Sequence, residues 1–399
     1  MIDGYLNVAI RQAQERARIL KGKIPSPVDF KDFIALQQIC EERIDQIIDR
    51  FEYLLTDPDI LMKDVIKERI RFFRRTLEEL SLLENTAILT LSRPHNDDRF
   101  LNWLVFEIHK EIRYPLNPPT ASCTSRDYFS TIPALRLLQV PPAESDFLLH
   151  LPDIYHELAH PLIVMPNNPK IEPFQHEFAS FLSIIRQHFD DARTAAAREN
   201  GPRERRDFEL RRFERSWFKW AMELFCDLFA TYTLGPAFGW AHFHLTAKNQ
   251  GDPFDVSPYM EQSHPPDHAR MEAILAALDI LNFRNQAKLI DQKWNALCAT
   301  TGFKLTPDYR RACPKQLIQQ AAIHALEGTR KIGCRTVTLQ TAENIHRLLN
   351  TAWDTFWSTP DTYHKWERDL MDRLKYTAAE AKPQGQIRST SPEAIRRTE

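Results

Sequence analysis

Between residues 33 and 55, Phe33, Leu36, Cys40, Ile44, Ile47, Phe51 and Leu54 recur every three or four positions. That spacing marks one face of an α-helix. Residues 59–83 repeat it with Ile60, Val65, Ile70, Phe73, Leu77 and Leu80. The first 90 residues therefore predict three or four amphipathic helices forming a bundle. Helical patterns return at 174–190, 267–283, 286–298, 314–328, 341–357 and 361–380, and Thr341-Ala342-Glu343 resembles a helix start. Only at 86–92 and 334–340 do β-branched residues alternate as in short strands.

Composition sharpens this picture. Ten glycines in 399 residues are few for a chain rich in tight hairpins. The expectation is a mainly α protein, with strands under about a tenth of it against a usual 20–25%. Four regions follow: an N-terminal helical bundle at 1–92, a core at 93–290, a C-terminal helical region at 291–381 and a disordered polar tail at 382–399. Residues 191–206, DARTAAARENGPRERR, read as a charged Gly-Pro linker, solvated and open to proteases.

Charge and cysteines exclude several classes. A net charge of −2 gives no bulk attraction to nucleic acid or anionic membrane. The longest stretch free of Asp, Glu, Lys and Arg, 228–247, is broken by Gly235-Pro236 and reads as core, so no membrane span is expected. The first residues lack a signal-peptide hydrophobic region, and the six cysteines form no C-x-x-C. Both fit a cytoplasmic chain with reduced thiols.

The chemistry centres on His156-Glu157-Leu158-Ala159-His160. Residues four apart share a helix face, so His156 and His160 can grip one cation. Glu157 then stands beside the open side of the metal, placed to take a proton from water. A near-copy, His176-Glu177-Phe178-Ala179-Ser180, lacks the second histidine and reads as an ordinary amphipathic helix. Two histidines leave a catalytic zinc one protein ligand short. Glu223 is the candidate third, in the apolar setting of Trp217, Trp220, Leu224, Phe225 and Leu228. Buried carboxylates need a cation or a hydrogen-bond partner. Asp227, one turn on, is placed to hold a ligating histidine, His156 by preference. Cys226 is read as pointing elsewhere on that helix. Pro152 suits the start of the motif helix. Pro161 should kink or end it just after His160.

HELAH followed by E-x-x-x-D resembles the gluzincin clan of metallopeptidases. The long span from His160 to Glu223 is closer to the HtpX and CaaX-prenyl-protease type than to thermolysin-like enzymes. Ser263-His264-Pro265-Pro266 with Arg270 is similar to the S/T-H-P-x-x-x-x-R segment of those proteins. The likeness covers roughly 150–275. It implies a zincin-like core, one zinc ion on His156, His160 and Glu223, and Glu157 as general base. It also implies Asp227 behind the ligands and His264 or Arg270 near the substrate. Arg270, Tyr232, His242 and His244 are further candidates to stabilise an oxyanion, with His264 favoured by the resemblance. The partner so implied is a protein or peptide substrate. The N-terminal helices are open to a regulatory partner.

Two competing readings use the same residues. Two histidines and a carboxylate also bind non-haem iron. A helical scaffold retaining a metal for stability would want a fourth protein ligand.

Overall fold

On helix α2 (Ile34–Thr56), Leu36, Cys40, Ile44, Ile47, Phe51 and Leu54 are all buried, so the periodic face is the packed face. In the computed structural model, residues 2–25, 31–62, 65–125, 128–198, 203–249, 251–257 and 260–381 are described. The tail expected from 382 onward lies outside them. The N-terminal segment is α1 (Ile2–Lys21), α2, α3 (Ile66–Leu83), a π-helical turn (Glu84–Ile88) and α4 (Leu89–Ser92). Its apolar faces make a core of their own, which also takes in Leu135 and Leu137.

The strand expected at 86–92 is therefore helical. Ala87, Ile88 and Leu91 are buried at helical spacing, and packing against that core overrides the β-branched pattern. After α5 (Asn96–Ile112) come β1 (Thr120–Ser122), β2 (Ser130–Ile132) and β3 (Leu137–Gln139). The sheet order is β1-β3-β2, with β1 parallel and β2 antiparallel to β3. Three residues per strand are too few to print a period of two on the sequence.

The remainder is helical: α6 (Asp153–Val164), α7 (Glu172–Arg198), α8 (Arg203–Leu234), α9 (Pro236–Lys248), α10 (Asp267–Ile280), α11 (Arg284–Thr301), α12 (Pro307–Ala312), α13 (Lys315–Lys331), α14 (Asn344–Ser358) and α15 (Pro360–Glu380). One hydrophobic core runs from Phe100 to Ala378 and holds α8 at its centre. The chain is mainly α.

Two further expectations need correcting. The flanks of the charged stretch 191–206 are helical, α7 running to Arg198 and α8 starting at Arg203, while the Gly201-Pro202 between them lies outside the described residues. Past that gap, the i,i+4 pair Arg205–Glu209, 3.2 Å apart, fits a solvated first stretch of α8. The segment 334–340 forms no strand. Its backbone closes helix ends instead, Arg335 N–H donating to Ile112 at 2.8 Å and Val337 N–H to Tyr232 at 2.9 Å.

Gly235 turns the chain from α8 into α9. Its φ of +84° and ψ of −146° suit glycine alone, and a Cβ there would sit 3.3 Å from Val337. No described helix is long and apolar enough to cross a membrane.

Candidate metal centre

Helix α6 carries the H-E-x-x-H motif and packs across α8, which carries the acidic pair. Pro152 stands at its N-cap. Pro161 does not end the helix at His160, as its missing N–H suggested; the helix runs one more turn to Val164. Pro161 falls in the last turn, where only one ladder bond is lost. Met165 N–H still closes onto Pro161 at 3.2 Å, and the Tyr114 hydroxyl donates to the Leu158 carbonyl at 2.5 Å.

His156 is held from both sides. Its Nδ1 lies 2.8 Å from Oδ1 of Asp227. Its Nε2 lies 3.3 Å from Oε2 of Glu223. Two ligands of one tetrahedral zinc ion stand about 3.3–3.5 Å apart, given bonds of about 2.0–2.1 Å. The His160 ring lies edge-on to His156, with centroids 5.1 Å apart.

Cys226 is the departure from expectation. Among the described residues, the triple of metal-type ligand atoms mutually within 4.8 Å is His156, His160 and Cys226, without Glu223. Reading Cys226 as pointing elsewhere on α8 overlooked that a residue three beyond Glu223 shares its face. Its thiol is fully buried.

Arg270, expected near the substrate, lines the cleft but is committed to Asp227. Nε donates to Oδ2 and a terminal nitrogen to Oδ1, both at 2.7 Å. His264 stands at the cleft's mouth, 65% exposed, with Nε2 3.9 Å from Glu223 Oε2. The remaining oxyanion candidates are placed elsewhere. Tyr232 donates to the Ala322 carbonyl at 2.6 Å, His242 pairs with the Asp267 carbonyl at 3.0 Å, and His244 stacks on His150.

The cleft, about 480 Å³, is lined by His156, Glu157, His160 and Glu223 on one side and by residues of β2 on the other. Cys226 is not part of its wall. Tyr128 and Asp153 also line it, and the Tyr128 hydroxyl hydrogen-bonds Asp153. Asp153 stands one turn before Glu157 on α6, a spacing the sequence displays. Nothing in the sequence singles out Tyr128.

Electrostatics follow from this packing. Burial works against a charged His156, yet the carboxylates of Asp227 and Glu223 win and raise its pKa to about 10. Burial, with the positive His156 nearby, lowers His160 to about 4. Burial lifts the Glu157 carboxyl to about 7; Glu223 and Asp153 add to this, while His156 and the Thr131 backbone N–H oppose it. Glu223 is lowered because His156 outweighs its burial, and Asp227 is held well below the usual carboxylate range by Arg270 against its burial. Burial, then Glu223, drives the Cys226 thiol far upward.

The donor set suits a divalent cation. Two imidazoles and a carboxylate are typical zinc ligands, and a thiolate would be a fourth. No family model, curated protein or solved structure matches the chain.

Proposed function

We propose that the protein is a zinc-dependent metallopeptidase, with His156, His160 and Glu223 holding the ion and Glu157 acting as general base. The observation that carries this reading is the double grip on His156, with Asp227 on Nδ1 and Glu223 beside Nε2 at ligand-to-ligand distance. Asp227 accepts the Nδ1 proton, so a cation that displaces the second proton, which the raised pKa otherwise retains, would bind through Nε2.

A zinc ion on these three residues would supply Lewis acidity, lowering the pKa of a bound water and polarising a carbonyl. Glu157 lines the same cleft, takes the proton from the attacking water and delivers it to the leaving amine. The Thr131 backbone N–H is near enough to its carboxylate to favour the charged form. His264, which lines the same cleft, is our candidate to stabilise a developing oxyanion. A peptide substrate is favoured because β2 is an edge strand of the sheet and lines the cleft. Unpaired strand edges bind extended chains through main-chain hydrogen bonds.

The His156–His160–Cys226 grouping favours a second reading, a closed structural site with Cys226 as a ligand. Cys226 lies outside the cleft wall, whereas the two histidines, Glu157 and Glu223 share it, and this weighs toward the open, catalytic site. Metal content of the purified protein tests both, with zinc expected and iron pointing to oxygenase chemistry. Cleavage of a broad peptide library by wild type decides between an open and a closed zinc site.

A further inference from the structure

Next to the cleft, past the end of β2, lies a second hollow of about 150 Å³. It shares Thr131 and Pro133 with the cleft, so the two hollows adjoin along the end of β2. A cavity of this size accepts a group about as large as one side chain.

Its lining has a definite chemistry. Leu116, Pro133 and Met165 give an apolar wall, and the only charged residues in the lining are Arg136 and Lys170. No Asp or Glu lines it. Both cations are exposed, and the hollow itself offers them no carboxylate. Both stand on pinned backbone. Arg136 adopts φ +47°, a left-handed conformation uncommon outside glycine. It is held there by its N–H on Pro133 at 3.1 Å and its carbonyl under Thr120 at 2.8 Å. Lys170 N–H donates to the Asn168 side chain at 3.1 Å, while the Asn168 carbonyl accepts from Ile171.

We propose that this hollow is a carboxylate subsite, in which Arg136 and Lys170 select substrates bearing an acidic group a few residues from the scissile bond. The apolar wall fits a methylene stem and the cations fit the carboxylate head. The acid is a Glu or Asp side chain or the peptide's terminal carboxylate. This rests on the metallopeptidase reading for the word substrate, but the hollow and its charges do not depend on the metal.

The test uses the full-length Glu157→Gln protein and fluorescein-labelled peptides. One glutamate is walked along an otherwise neutral extended sequence, with free and amidated C-termini in parallel. Binding is read by fluorescence anisotropy. One glutamate position, or the free C-terminus, should bind at least about threefold more tightly than its neutral counterpart, with the preference shrinking as salt rises. The acidic-to-neutral ratio should fall toward one in Arg136→Gln/Lys170→Gln. It should invert toward lysine peptides in Arg136→Glu/Lys170→Glu, provided both variants melt as the parent does. The side-chain and terminal arms tell the two sources apart. Absence of any acidic preference, its survival in the double variants, or failure of every peptide to bind would overturn the subsite. Acidic preference without cleavage by wild type would sink the peptidase reading and leave the subsite standing. Cleavage without acidic preference would do the reverse.

Discussion

Oδ1 of Asp227 lies 2.8 Å from Nδ1 of His156 and 2.7 Å from a terminal nitrogen of Arg270. One carboxylate thus orients the first histidine of the motif while it neutralises a buried guanidinium. Asp227→Asn keeps the shape and removes the charge. We expect metal affinity to fall by roughly 10–100-fold, read by competitive titration with a chromophoric chelator. Unchanged affinity would make Asp227 a structural residue only.

Arg270 carries the complementary expectation. Its side chain is 13% exposed and that of Asp227 is fully buried. Removing one partner of a buried pair leaves an uncompensated charge. Arg270→Met should therefore destabilise the fold by about 3–5 kcal/mol in denaturant titration. A loss under about 1 kcal/mol would show that water reaches Asp227 freely.

Gly235 sets the turn that follows α8, the helix carrying Glu223 and Asp227. Gly235→Ala forces a side chain into a backbone region closed to L-residues and toward Val337. A cost of about 1–3 kcal/mol is expected in thermal or chemical melts. A neutral result would mean that the turn adapts and does not fix where α9 begins.

Cys226 separates the open site from the closed one. If His156, His160 and Glu223 hold the ion, Cys226→Ala retains metal at stoichiometric occupancy when measured by plasma mass spectrometry. Loss of metal from this variant, in a protein that still folds by circular dichroism, would favour the structural site.

Much of this was legible in the chain. The apolar spacing of 33–55 became α2, and the i,i+4 pairs on α6 and α8 placed His156 beside both Glu223 and Asp227. Other features were lost for physical reasons. The i,i+3 step from Glu223 to Cys226 was readable and overlooked. The three-residue strands are too short for a period, and β2 forms one wall of the cleft. The Thr131 N–H that favours a charged Glu157 is a backbone group, which no residue type announces. Arg270 was found, but its commitment to Asp227 depends on how α10 packs against α8. At 86–92, helical burial of Ala87, Ile88 and Leu91 outweighed β-branched propensity.

The most direct measurement is turnover by Glu157→Gln at matched zinc occupancy, using a peptide that the wild type cleaves. Glutamine preserves size and much of the hydrogen bonding but accepts no proton. The proposed function predicts that metal and fold persist while the rate falls by about 10²–10⁴-fold. Turnover equal to that of wild type would contradict Glu157 as the base and, with it, the hydrolytic mechanism.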